Sequence, residues 1–191
     1  GSLGAGVDYA NANTGDLGGI DYVDVISGVD AMVSQGFADP KRLGVGGYSY
    51  GGYLSSWSIT QTTRFKAAVS GGILADLISF YGTTDIPQYL TIHLGEPPFP
   101  EQSLAWQRSP LKHASKVTTP VLFYVGDSDQ RTPPGQVHQM HRAVEDAGVT
   151  TLKVIYPGEG HGFVDRNNQL DLMQRMLAWY GRYLAPAGEF Q

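Results

Sequence analysis

A serine flanked by glycines is the first pattern in this sequence that could support catalysis. Residues 47–51 read G-Y-S-Y-G and lie between a short apolar run and a segment with helical spacing. In that setting a G-x-S-x-G sequence forms a sharp strand-to-helix turn that exposes a nucleophilic serine, with glycines relieving the crowding. We therefore predict that Ser49 is a nucleophile. A glycine-rich tight turn without chemistry is the alternative interpretation.

A serine hydroxyl is a weak nucleophile at neutral pH, so it needs a general base that is itself oriented by an acid. The chain has five histidines. His161 stands between two glycines after an apolar run, where the base is expected if the order is Ser, acid, His. His93 and His113 come too early in the chain for that order, and His138 and His141 fall within a predicted helix. We predict that His161 is the base.

Two aspartates compete for the role of the acid. Asp127 and Asp129 both follow the apolar run 121–125. We prefer Asp129, because it is further from the strand end and can reach the loop that carries the histidine. Asp127 is expected to cap the turn through backbone N–H groups. Glu159 and Asp165 remain alternatives on the histidine's own loop.

An acyl-transfer site also needs two N–H donors for the oxyanion of the tetrahedral intermediate. The backbone N–H of Tyr50, directly after the nucleophile, is predicted to be one donor. The second normally comes from a loop near an earlier strand, often with an H-G-G-type sequence. No such sequence occurs in this chain.

Short apolar runs alternate with segments of helical spacing, and this arrangement would bring the three side chains together. Each predicted strand is bounded by turn residues, as in parallel strands covered on both faces. We therefore predict an α/β fold with a mostly parallel sheet and helices on both faces. The predicted strands are 43–47, 65–70, 121–125 and 152–156, and the predicted helices are 21–36, 53–59, 135–147 and 170–184. An irregular helical excursion is expected over 76–115, with the opening residues 1–19 as loop.

Composition excludes several classes of function. The 191 residues carry a net charge of −5 without a basic stripe, so nucleic acid is an improbable partner. There are no cysteines, which excludes disulfides and thiolate metal sites, and we expect no metal or cofactor. Since no apolar run approaches the roughly 20 residues needed to cross a bilayer, we expect a soluble, cytoplasmic protein that is not bound to membranes.

Three motifs together resemble the prolyl oligopeptidase family, particularly its acylaminoacyl-peptidase and dipeptidyl-peptidase-like branch. They read G-Y-S-Y-G-G, G-D-S-D-Q-R-T-P and P-G-E-G-H-G-F, with 80 residues from Ser49 to Asp129 and 32 from there to His161. The resemblance covers the chain from Gly1 to about Leu184. It implies an α/β-hydrolase fold, the triad of these three residues, and cleavage of peptide amides or esters through an acyl-serine intermediate.

The resemblance also implies a substrate pocket built partly by the excursion. Phe80 and Tyr81 are the candidate pocket residues, and ordinary core aromatics are the alternative. Family members carry an N-terminal β-propeller and further hydrolase strands. We therefore expect residues 1–184 to form a partial peptidase domain that lacks its N-terminal strands, followed by a tail over 185–191 that is disordered or a cloning remnant.

Without those N-terminal strands, one edge of the predicted strand 43–47, which precedes Ser49, would be uncovered. We therefore expect association, either with a second copy or with the missing N-terminal part.

A carboxylesterase, or a catalytically weak fragment that folds by self-association, is the alternative function.

Overall fold

The computed structural model of the chain describes residues 1–99 and 103–186. Pro100, within the predicted excursion, lies outside the described residues, as does most of the predicted tail. Within the described part, no helix is long and apolar enough to cross a membrane.

Four parallel strands form one sheet in the order β1-β2-β3-β4. The two central strands are completely buried, which explains why their sequences are nearly continuous apolar runs. β1 forms one edge of this sheet. The strands are β1 (Gly44–Tyr48), β2 (Ala67–Gly71), β3 (Val121–Gly126) and β4 (Thr151–Tyr156).

The helices connect these strands in chain order. They are α1 (Val7–Ala10), α2 (Ile20–Ser34), α3 (Tyr50–Gln61), α4 (Leu77–Thr83), α5 (Gln88–Leu94), α6 (Leu104–Gln107), a 3₁₀ helix (Pro110–Lys116), α7 (Pro134–Asp146) and α8 (Arg166–Leu184). One difference from the prediction concerns α8, which begins four residues earlier. Its start follows from Asp165, whose carboxylate accepts the N–H groups of Asn167 and Asn168 and so caps the helix.

The two faces of the sheet bury separate apolar clusters. On one face, Phe123 of β3 packs with Val137 and Met140 of α7. On the other face, Leu122 of the same strand packs with Trp179 of α8. Successive residues of β3 therefore point to opposite layers. This arrangement confirms the predicted α/β fold, with a parallel sheet and helices on both faces.

The excursion between β2 and β3 forms a third apolar cluster at the carboxyl ends of the strands. The excursion comprises α4, α5, α6 and the 3₁₀ helix, and its first three helices supply side chains to this cluster. Asp76 starts α4 by accepting the N–H groups of Ile78 and Ser79. Phe80 and Leu90 then pack against Tyr53 of α3. The excursion is thereby attached to α3, the helix that directly follows Ser49.

Candidate active site

Ser49 occupies a strained turn between β1 and α3. Its backbone has φ 60° and ψ −119°, and it is the one residue other than glycine with positive φ in the described chain. Its N–H donates to the carbonyl of Gly71 at 3.0 Å, which fixes the turn against β2. Such strain is typical of sites whose geometry serves a reaction.

The glycines around Ser49 are not equally crowded. A Cβ on Gly47 would lie 2.5 Å from the backbone of Gly51, whereas a Cβ on Gly51 would meet open space. The second crowded position is Gly52, where a Cβ would lie 2.2 Å from the carbonyl oxygen of Gly71. The expectation that both glycines of the G-x-S-x-G sequence relieve crowding therefore holds for Gly47 and is wrong for Gly51.

Three side chains predicted to form a catalytic triad lie in one hydrogen-bonded series. His161 Nε2 is 2.9 Å from Ser49 Oγ, and His161 Nδ1 is 2.9 Å from Asp129 Oδ2. The Asp129 side chain is completely buried and the His161 side chain is 29% exposed. With its Nδ1–H donated to the carboxylate, the imidazole presents an unprotonated Nε2 to the hydroxyl. This geometry suits proton transfer from serine.

Donors from its own loop hold the Asp129 carboxylate. Oδ1 accepts the N–H groups of Arg131 and Thr132, each at 2.9 Å, and Oδ2 accepts the Thr132 hydroxyl at 2.8 Å. The Thr132 hydroxyl also lies 3.3 Å from His161 Nδ1. These bonds compensate the buried charge. Sequence reasoning missed Thr132, although an aspartate followed three residues later by threonine is a recognisable turn pattern.

The competing acids have other roles. Asp127 is exposed, and its Oδ1 accepts the N–H of Gly158 at 2.8 Å, which ties the loop after β3 to the loop after β4. Glu159 is 1% exposed and accepts the side-chain amide of Asn168 and the N–H groups of Val164 and Asp165. These bonds, the one from Asn168 first, lower the pKa of Glu159. Glu159 thus holds the histidine loop in place.

The remaining histidines lie away from Ser49. His93 of α5 packs on the ring of Tyr89, and burial lowers the pKa of His93. The Nε2 of His113 lies 3.0 Å from the carbonyl oxygen of Gln107. His138 and His141 are on α7, as predicted, and burial is the main cause that lowers the pKa of each.

A cavity of about 100 Å³ opens beside Ser49. Its apolar wall comes from the excursion and the loop after β2, through Leu74, Phe80, Ile86 and Tyr89, and its other lining residues are Tyr50, Arg131 and Thr132. Phe80 therefore lines a cavity beside Ser49, as the resemblance implies. Tyr81 is not among the lining residues, and its ring packs edge-on against Phe99 at 5.3 Å. Ile86 and Tyr89 were missed because their segment shows no sustained apolar period.

Tyr50 joins the cavity to α2. Its hydroxyl donates to the carboxylate of the buried Asp21, and its ring stacks on Tyr53 at 5.4 Å between centroids. Burial first, and then this bond, raise the pKa of Tyr50, so the hydroxyl stays protonated. The backbone N–H of Tyr50 lies in the first turn of α3, where N–H groups have no intrahelical partner. The oxyanion role predicted for that N–H stays a prediction.

An ion pair links the acid loop to the excursion at the rim of the cavity. The Arg131 guanidinium lies 2.6 Å from one oxygen of Asp85 and 3.2 Å from the other. The hydrogen bond from Arg131 is the main cause that lowers the pKa of Asp85. Since both side chains are about 40% exposed, the pair contributes little to stability. Among the described residues, no cluster of histidine and carboxylate side chains could hold a metal ion.

Comparisons with known sequences identify the family of the chain. Residues 1–187 match the prolyl oligopeptidase family, which confirms the resemblance drawn from the three motifs. The chain is 38% identical over 189 residues to the uncharacterized peptidase YuxL of Bacillus subtilis (strain 168), covering 96% of this chain and 29% of that protein. It is 33% identical over 192 residues to the acylamino-acid-releasing enzyme of Arabidopsis thaliana, covering 96% of this chain and 25% of the enzyme.

Solved structures show the same fold. A puromycin-hydrolyzing peptidase of Mycobacterium tuberculosis superposes with a TM-score of 0.91 at 35% identity, covering 96% of this chain and 28% of that one. An acylaminoacyl peptidase of Pyrococcus horikoshii superposes with a TM-score of 0.85 at 26% identity, covering 96% and 31%. The chain thus spans less than a third of the length of these proteins.

Proposed function

We propose, since the chain belongs to the prolyl oligopeptidase family, that it carries the nucleophile, acid and base of a serine peptidase that hydrolyses peptide amide bonds. The observation that carries this proposal is the hydrogen-bonded series from Ser49 through His161 to the buried Asp129. The names of the relatives, which are peptidases and acylamino-acid-releasing enzymes, favour an amide over an ester as the substrate bond.

The first half of the reaction forms an acyl-enzyme. Ser49 Oγ attacks the scissile carbonyl carbon while its proton passes to His161 Nε2. The Tyr50 N–H stabilises the oxyanion of the tetrahedral intermediate in this proposal. The C–N bond then breaks, and His161 returns the proton to the leaving amine. Asp129 stabilises the imidazolium between these steps and does not accept the proton.

The second half releases the acid product. Water attacks the acyl carbon and gives its proton to His161 Nε2. The bond from carbon to Ser49 Oγ breaks, and the serine recovers its proton from the imidazolium. The apolar wall around Phe80 favours an apolar side chain on the acyl side of the cleaved bond.

Turnover of a panel of aminoacyl-p-nitroanilide amides and p-nitrophenyl esters tests this proposal. We expect Ser49→Ala to abolish both activities, with a free energy of unfolding within about 1 kcal/mol of the parent chain. Ser55→Ala, on α3, is the matched control and should retain activity. Retained turnover in the Ser49 variant would contradict the nucleophile assignment, and turnover of esters alone would favour the carboxylesterase alternative.

The edge of the sheet supports a second proposal, on association. Gly44 and Gly46 of β1 are exposed at this edge. α8 lies over β1 through a 2.9 Å bond from the Tyr180 hydroxyl to the Val45 carbonyl. A stripe of exposed apolar side chains also runs along α8, formed by Leu170, Met173 and Leu177. Edge strands pair readily with other chains, so we infer that the isolated chain associates with a second copy.

Light scattering combined with ester turnover tests the association. We expect a dimer or larger assembly, because pairing would cover the exposed edge. A monomer would be poorly active, because one oxyanion donor remains unassigned and loss of one such donor typically lowers turnover by about 100- to 1,000-fold. A monodisperse monomer would contradict the association, and full peptidase turnover by that monomer would also contradict the missing donor. In a longer polypeptide, the further hydrolase strands implied by the resemblance would occupy the same edge.

A further inference from the structure

Tyr48, the residue before the nucleophile, contacts both other members of the hydrogen-bonded series. Its hydroxyl lies 3.3 Å from Asp129 Oδ2, the oxygen that also faces His161. Its ring lies against the imidazole of His161, with centroids 5.1 Å apart and planes at 36°. One side chain thus touches the carboxylate and the base together. The proposed reaction steps do not involve Tyr48.

The backbone around Tyr48 fixes the position of this ring. As the last residue of β1, Tyr48 pairs with Gly71, and a Cβ on the neighbouring Gly72 would lie 2.9 Å from the Tyr48 ring. The ring also stacks on Tyr124 at 5.7 Å and meets Phe163 edge-on at 6.2 Å. Because Gly72, Tyr124 and Phe163 restrict the Tyr48 ring, the ring can itself restrict the orientation of the His161 imidazole.

The Tyr48 hydroxyl is a donor toward the carboxylate. Burial, followed by the charge of Asp129 and the bond to it, raises the pKa of Tyr48, with smaller contributions from Tyr124 and Glu159. The hydroxyl therefore remains protonated across the range in which a histidine titrates. Together with the Thr132 hydroxyl, it brings a second side-chain O–H to Asp129 Oδ2.

We infer that Tyr48 is a positioning residue for the reaction. Its ring sets the plane of His161, and its hydroxyl shares the negative charge of Asp129 Oδ2 with the imidazole. This inference rests on the proposed function. Two consequences follow. The imidazole keeps the orientation in which Nε2 faces Ser49, and the carboxylate stabilises the imidazolium less strongly than it would without the tyrosine.

The test compares Tyr48→Phe with Tyr124→Phe in steady-state kinetics across pH. Tyr48→Phe removes only the hydroxyl. With more negative charge left on Asp129, the imidazolium should keep its proton to higher pH, so the acid limb of the pH–rate profile should move upward. On that limb we expect kcat/KM to fall by about tenfold for a shift of one pH unit, and to fall through kcat, because fewer molecules carry the neutral base and the substrate cavity does not include this side chain.

Tyr124→Phe is the matched control, because it removes a hydroxyl from the same stack of rings without touching Asp129. It should change kcat/KM less than about twofold and leave the midpoint of the acid limb in place. Unchanged kinetics and an unmoved midpoint in Tyr48→Phe would overturn the inference. Equal losses in both variants, without a shift of the midpoint, would do the same, since they would indicate a purely structural role.

A second readout does not depend on turnover. The proton on His161 Nδ1 should give a low-field NMR resonance that moves in Tyr48→Phe and stays in Tyr124→Phe. An unmoved resonance in both variants would contradict the inference. Failure of the proposed function would appear separately, as a parent chain in which the Ser49 substitution has no effect on hydrolysis.

Discussion

The two sides of Ser49 are built differently. On the side of the acid and base, two short loops leave the neighbouring strands β3 and β4, and hydrogen bonds hold nearly every polar group. On the side of the cavity, a long segment of short helices, α4 to α6, supplies apolar side chains held by packing. The comparison teaches that, if the proposed function is right, the chemistry depends on donors at fixed distances and the selectivity on packed apolar side chains.

The largest expected effect comes from the acid. Asp129→Asn should lower kcat by about 10,000-fold, because the amide cannot hold the imidazole with Nε2 unprotonated and facing the serine. The control is Asp127→Asn, on the same loop, whose carboxylate accepts the Gly158 N–H instead. Steady-state kinetics on an activated ester would measure both. Comparable losses in the two variants would mean that the loop, and not the triad geometry, determines the rate.

A smaller effect is expected from the cavity. Phe80→Leu should change the preference between aromatic and small acyl side chains by about tenfold, since the change of shape in an apolar pocket alters binding by about 1–3 kcal/mol. The esterolysis rate on a small acetyl ester should stay nearly constant. Tyr81→Leu, outside the lining, serves as the control and should leave the preference unchanged. A shift caused by Tyr81→Leu and not by Phe80→Leu would reverse this assignment.

The smallest effect is expected where the two sides meet. Asp85→Asn breaks the exposed ion pair with Arg131, and exposed pairs are weak. We expect less than about a twofold change in kcat/KM at moderate salt, with the difference vanishing as salt rises. A loss approaching that of Asp129→Asn would show that the two sides are coupled, and the contrast between them would then fail.

The proximity of Ser49, Asp129 and His161 could be predicted from the sequence, because the order and spacing of three motifs agree with the order of the strands. Their catalytic roles stay predictions. Strand positions were accurate to about two residues, since buried parallel strands are continuous apolar runs. The family resemblance rested on the three motifs and is confirmed, whereas the register of the sheet was not predicted.

Residues brought in from a distance could not be predicted. Tyr48 looked like a variable position of the G-x-S-x-G sequence, because nothing local indicates that its ring meets His161 more than a hundred positions away. Ile86, in the connection between α4 and α5, and Tyr89 of α5 reach the cavity through tertiary packing, which leaves no periodic signal in the sequence. Phe80 and Tyr81 are adjacent and alike in type, and only the direction of each side chain on α4 separates them.

Covalent labelling tests the central claim most directly. The chain would be treated with a fluorophosphonate, and the modified residue would be located by peptide mass mapping in the parent chain, in Ser49→Ala and in His161→Gln. We predict stoichiometric modification at Ser49, none in the Ser49 variant, and strongly slowed modification in the His161 variant. Modification at any other serine, or no modification of a well-folded parent chain, would contradict the account.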